Sequence, residues 1–386
     1  MITSTVETKK NNLLIVSLVA LGMSLLALPA TFTVFRQNRL SEGIIHTVWR
    51  SVEPSHAFVL PVLLAGILLS IIFYRRRSWY PILAASLGTI FIVCVFLALA
   101  DAAHYLPVQN GSGRVSLGSG AWLLLLGGYI LTLSASKEIR IPYIRIGFSY
   151  LSVIVVLILG SAGVFNGLSV MQELIVKRGR FLRELYNHVS LSFSSVGFAL
   201  LFGIPLGIAA YRKAAVKKIV FYFVNTTQTI PSLALFGLLI APLSYLSTRF
   251  PLLRDMGIRG IGRTPALIAL TLYALLPITR NLYTSLQSVD SSFIEAGKGM
   301  GLSRLQLLLT IEIPLAAPLF LNGIRLAAVQ AVGNTTVAAL IGAGGFGFFI
   351  FQGLGQAAPD LILLGAIPVV ILAVLVDRSM QLSFQS

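Results

Sequence analysis

Long windows almost empty of charge recur from one end of this chain to the other, and they leave few folds open. Each runs roughly 16–25 residues, the length a helix needs to cross a hydrocarbon layer of about 30 Å. Ten can be placed, at roughly 13–34, 57–74, 80–100, 119–135, 146–165, 189–211, 219–246, 264–282, 314–339 and 359–376. With 56% hydrophobic and 11% charged residues, the chain lacks the polar side chains to clothe a water-facing surface. A soluble domain carries about 25% charge. The expected fold class is an all-α polytopic membrane protein with about ten transmembrane helices.

A formal net charge of +16 raises nucleic acid as a partner, but the Lys and Arg residues come in short clusters between the apolar windows. That placement belongs to membrane orientation and lipid headgroup contact, so the bilayer is the expected partner and nucleic acid is not. The single cysteine, Cys94, lies inside an apolar window, which excludes a disulfide framework. Lys9 and Lys10 ahead of Leu13–Val34 resemble a signal peptide, yet the stretch is too long for one, so a retained first helix is expected.

Ten crossings put both termini on one side. With that side inside, sixteen Lys and Arg fall in inner segments and twelve in outer ones, the direction of the positive-inside rule. The outer clusters Lys177–Arg183 and Arg249–Arg263 weaken the bias. Near the first, Met171, Leu174, Ile175, Phe181, Leu182 and Leu185 repeat at helical spacing beside Glu173, Lys177, Arg180 and Glu184. This is the pattern of an amphipathic helix lying along the interface. It divides the chain into an N-terminal five-helix region (1–165), an interfacial linker (166–188) and a second five-helix region (189–386) with polar residues inside its spans.

Several chemistries find no support. No phosphate-binding loop occurs: Gly342-Ala-Gly-Gly-Phe-Gly347 has the glycines but no following Lys or Ser/Thr. His46, His56, His104 and His188 are widely separated, without metal-ligand spacing, and no nucleophile elbow is present. No catalytic or metal residue is expected. A self-powered carrier usually needs a carboxylate inside a span; here only Arg325 lies clearly within one, and a nearby carbonyl or carboxylate is its expected partner. A secondary carrier or channel stays as the alternative.

The interruption at 290–314 carries the most information. Ser292 with Glu295 has the form of a capping box, Gly301 suits a left-handed helix end, and Ser303 with Gln306 repeats the box before Pro314. A rigid helical knob is expected on the inner side. Polar residues within spans, Asn225–Thr229, Gln330 and Asn334–Thr336, would seek partners in the bundle or a wet path. Pro231 would break the helix beside Gln228.

Glu295, Ala296, Gly297, Gly301, Ile311, Ile313 and Pro314 resemble, in type and spacing, the E-A-A-x3-G-x9-I-x-L-P signature of ABC importer permeases, departing at Gly297 and Ile313. Gln228–Leu235, Gly323-Ile-Arg325 and Gly342–Gly347 look like the permeases for glycine betaine, choline, carnitine and related osmoprotectants. Methionine-type permeases share parts of the same core. The likeness covers roughly 185–380, and the N-terminal helices resemble those of a longer subgroup.

What the resemblance implies is a five-helix importer core whose inner loop fits a groove on a cytoplasmic ABC ATPase dimer. ATP and Mg would be bound there and not on this chain. An external substrate-binding protein and a second permease, like or unlike, would complete the assembly in a bacterial inner membrane. Both termini would be cytoplasmic. The candidate translocation path is Gln228, Thr229, Pro231, Gln330, Asn334 and Thr335.

Overall fold

The computed structural model describes residues 2–38, 41–54, 56, 64, 80–110, 113–139 and 141–383. The expected window 57–74 lies outside the described residues, apart from Leu64. The chain separates into two compact units, Met1–Val176 and Lys177–Ser386.

The first unit contains helices α1 (Ile2–Ala27), α2 (Tyr80–Asn110), α3 (Ser119–Lys137) and α4 (Pro142–Ser161). A small antiparallel sheet of β1 (Thr33–Arg36), β2 (Ile44–His46) and β3 (Arg114–Leu117), in the order β2-β1-β3, was not anticipated. The first helix ends before the expected residue 34 because Pro29 has no N–H to donate and disfavours helical backbone at Leu28. The chain then extends into β1. Small residues bring α2 against α3: a Cβ on Gly88 would meet Thr132 Oγ1 at 2.4 Å. The short helix Ser169–Val176 closes the unit, with buried Glu173 ion-paired to Arg114 of β3.

In the second unit, α5 (Arg178–Arg212) is followed by α6 (Ala214–Thr229) and α7 (Ser232–Arg249). The expected span 219–246 is therefore two helices, parted at Ile230 and Pro231. Helix α8 (Arg263–Gln287) packs along both α5 and α11 (Ile313–Thr335). Gly203 and Gly207 of α5 face Ile278 and Leu282, and Ala199, Ala274, Ala327 and Ala331 share one buried cluster. Small residues of this kind let helices approach closely enough to pack without a hydrophobic drive between them. Before α11 come α9 (Ser291–Gly299) and α10 (Arg304–Leu307); after it come α12 (Gly347–Gly355) and α13 (Pro359–Ser383).

Among the described residues, seven helices are long and apolar enough to cross a bilayer, including Arg304–Thr335 as one continuous segment. Helices also stand in the expected windows 13–34 and 146–165, the first ending at Ala27 and the second running from Pro142 to Ser161. The expected linker 166–188 is not one interfacial segment. Its first half ends unit one, and its second half is the opening of α5. Its polar stripe does not all face outward either: Glu173, Glu184 and His188 are buried on partners distant in sequence.

Candidate functional site

The knob is built from backbone rules acting over fifteen residues. Asp290, not Ser292, caps α9: its Oδ1 accepts from the Ser292 N–H at 2.8 Å. That bond holds the Asp290 carboxyl below the usual carboxylate range. At the other end Gly301 takes φ +78°, the left-handed region that favours glycine. The Leu302 N–H then bonds Gly297 O at 3.1 Å and the Gly301 N–H bonds Lys298 O at 2.9 Å, the two crossed bonds of a Schellman ending. Ser303 and Gln306 form the expected capping box, which opens α10.

Gly297 is buried, and a Cβ there would meet Leu307 Cδ1 at 2.6 Å and Ile311 Cδ1 at 2.7 Å. The glycine at this position thus fits the larger side chains packed beneath it. Phe293, Glu295, Ala296, Lys298 and Met300 are exposed, Met300 at 72%. The knob offers a mixed apolar and charged face while spending its own polar backbone internally.

A π-helical turn, Leu308–Glu312, joins α10 to α11 just before Pro314. Ile311 and Ile313 are half-buried and Pro314 is exposed. Glu312 is 1% exposed and accepts from Arg212 Nη2 at 2.9 Å, tying this base to the end of α5.

The candidate path residues divide into separate groups. Gln228 Nε2 donates to Tyr273 O at 2.9 Å, and the Tyr273 hydroxyl donates to Ile230 O at 2.5 Å, so the break at Pro231 is pinned to α8. Thr229 only bonds its own helix, at Thr226 O. Gln330 and Asn334 lie one turn apart on α11, and among the described residues no hydrogen bond engages either side chain. Thr335 differs from them: it is buried and bonds Ser192 Oγ at 2.9 Å and Ala331 O at 2.7 Å. Its geometry is that of a helix-packing group. Arg325 meets Asp377 of α13 through two bonds of 2.6 and 2.9 Å, the carboxylate partner expected of it.

The glycine-rich loop 342–347 is held by α5. Gly342, Gly344 and Gly345 all have positive φ, which turns the Gly345 and Phe346 N–H groups toward Glu184 and His188. Glu184 Oε2 accepts from Gly345 at 2.6 Å, while its Oε1 lies 2.6 Å from Arg180. His188 accepts at Nδ1 from Phe346 (3.2 Å), which leaves Nε2 to donate to Val332 O (2.9 Å). The donors that would cradle a phosphate in such a loop are aimed at the chain's own side chains.

Two families match this chain. Residues 199–385 match the binding-protein-dependent transport system inner membrane component, and residues 10–171 match the N-terminal domain of the ABC transporter permease YehY. The choline transport system permease protein OpuBB of Bacillus subtilis (strain 168) is 36% identical over 208 residues, 54% of this chain and 88% of that protein. This chain belongs to the binding-protein-dependent transport permeases. The carnitine transport permease protein OpuCB of Listeria monocytogenes is 42% identical to this permease over 196 residues, 51% of this chain and 83% of that one. A chain of the inward-facing methionine ABC transporter MetNI is 23% identical, with TM-score 0.47 over 54% of this chain and 96% of that chain. The permease is a multi-pass membrane protein.

Sequence reasoning missed Glu184, His188, Arg212 and Glu312. Nothing local marks these roles, because each has a partner 100 or more residues away, even where Glu184 also pairs with Arg180 in its own helix. The one available signal was an ionisable side chain close to a span, which is costly there unless paired.

Proposed function

We propose that this permease imports glycine betaine or a related osmoprotectant with energy supplied by a separate ABC ATPase dimer. The observation that carries the reading is the knob. It is exposed, stiffened at both ends by its own caps, and continuous through the π turn with α11. Glu295, Ala296 and Gly301 form the contact with the ATPase, buried Gly297 lets the layer beneath pack close to it, and Ile311, Ile313 and Pro314 anchor it to the span. Two spans follow the knob, which supports placing it on the side of the C-terminus, and we take that side, with the N-terminus, as cytoplasmic.

ATP and Mg belong to the partner, and this chain supplies no hydrolytic group. Residues 177–386 form the transport core, with a second permease, like or unlike, across the path. Gln228, Pro231, Gln330 and Asn334 are the path candidates retained; the unengaged amides of Gln330 and Asn334 favour that face of α11. The choline and carnitine permeases named above support the substrate class. An external binding protein delivers the solute, and the basic segment Arg249–Arg263 gives it an electrostatic landing place.

Proteoliposomes holding this chain, its ATPase and its binding protein test the reading with labelled glycine betaine, choline, carnitine and methionine. Uptake of an osmoprotectant that requires ATP and all three components is expected. Solute movement by the purified chain alone would favour a secondary carrier instead. Stimulation by the binding protein should weaken as salt rises, since screening shortens electrostatic reach.

A further inference from the structure

Helix α5 is fastened at both ends to elements distant in sequence. Near its start, Glu184 and His188 hold the loop 342–347. At its last residue, Arg212 holds the base of the knob. The helix runs 35 residues, a length of roughly 52 Å at the usual helical rise.

The Arg212 joint is more than a surface contact. Glu312 is 1% exposed in a π turn that packs on the cluster of Leu282, Leu286, Leu308 and Ala316. Arg212 Nη2 reaches Glu312 Oε2 at 2.9 Å and also the Arg304 carbonyl at 3.3 Å, so one guanidinium grips both ends of the segment leading from knob to span. Glu312 is buried while Arg212 stays partly open to solvent, and an ion pair with a buried member adds little net stability over apolar packing, fixing register being its best-attested use. Arg212 sits in the last turn of its helix, where a cation is favoured by the backbone dipole.

We propose that Arg212 and Glu312 are positioning residues that turn movement of the knob into movement of α5, and through it of the loop 342–347. This rests on the permease reading above. Without the pair, the knob would still receive the ATPase but would move α11 without carrying α5 along. ATP would be split with less solute moved.

The test uses the intact complex, purified through a tag on this chain and reconstituted with its binding protein, reading labelled glycine betaine, choline and carnitine moved per ATP split. Glu312→Gln and Arg212→Met should each lower that ratio by roughly ten-fold, the upper range for residues that modulate coupling. The ATPase should co-purify as with the wild type, and hydrolysis should continue. Arg212→Lys, which keeps the charge, should recover part of the ratio. An unchanged ratio overturns the proposal. So does a parallel fall of yield, hydrolysis and uptake in all three variants, which would mark a role in folding alone. A wild-type complex that moves none of the three solutes on ATP identifies a failure of the permease reading, and the joint falls with it.

Discussion

Two glycine turns in the second unit look alike in sequence and behave in opposite ways. In the knob, Gly301 turns the chain so that backbone donors bond the carbonyls of their own helix. In the loop 342–347, three left-handed glycines turn donors toward Glu184 and His188, about 160 residues away in the chain. The first turn is self-contained and can face a partner without losing shape. The second ends its own short helix at Gly342, where the Gly342 and Ala343 N–H bond Ala339 O and Ala338 O, but it gives its next donors, Gly345 and Phe346, to α5. Glycine content therefore says little until the destination of each N–H is known.

The sharpest way to break this contrast is Glu184→Ala. It strips the loop of an acceptor and leaves the buried Gly345 N–H unsatisfied, at a cost of about 2 kcal/mol, while the exposed Arg180 turns to solvent. A marked drop in the thermal midpoint of the detergent-solubilised protein is expected. A midpoint equal to the wild type would mean that the loop folds unaided.

Gly301→Asp probes the other turn. A left-handed Asp costs about 1 kcal/mol, so the protein should reach the membrane while ATP-driven uptake falls by roughly ten-fold, the scale of a lost coupling term. Uptake at the wild-type rate would remove the knob from the energy path.

Gly297→Ala is a milder probe of the same turn. Its Cβ would press only on the mobile ends of Leu307 and Ile311. The better helix propensity of Ala offsets that crowding, so stability should stay within about 0.5 kcal/mol by chemical denaturation. A larger loss would show that the layer beneath the knob cannot yield.

The smallest effect belongs to Asp290. Its carboxyl titrates below its ordinary value, so the stabilisation is present above the ordinary value and fades as pH falls through the lowered one. Protection of the amides in the first turn of α9, taken relative to the intrinsic exchange rate at each pH, should fall in acid, below about pH 4, before the rest of the unit responds. Simultaneous exchange throughout would deny the cap a local role.

These particulars mark what was legible in the chain. The Gly301 turn and the Ser303–Gln306 box follow from residues within a few positions, and both stand where expected. Asp290 displaced Ser292 as the cap because two good capping residues compete within one turn, and sequence alone does not say which one leaves the helix. The Pro231 break was local and visible. The β1–β3 pairing was not, since it joins two strands of four residues that lie far apart in the chain. Glu173 and Glu184 looked like members of one polar stripe of an amphipathic helix, and only tertiary pairing separates that case from burial.

The π turn at Leu308–Glu312 has one last implication. A wide turn holds an extra residue without lengthening the rod much, and each residue of an ordinary helix advances the azimuth by about 100°. Removing one residue there would close the turn to ordinary helix and leave everything downstream on nearly its present bearing, whereas a deletion within α11 would rotate the rest by roughly that angle. Gln330 and Asn334 would keep their bearing in the first case and swing away in the second. The surplus peptide unit is thus slack in the rod, placed where a residue can be lost without turning the far end.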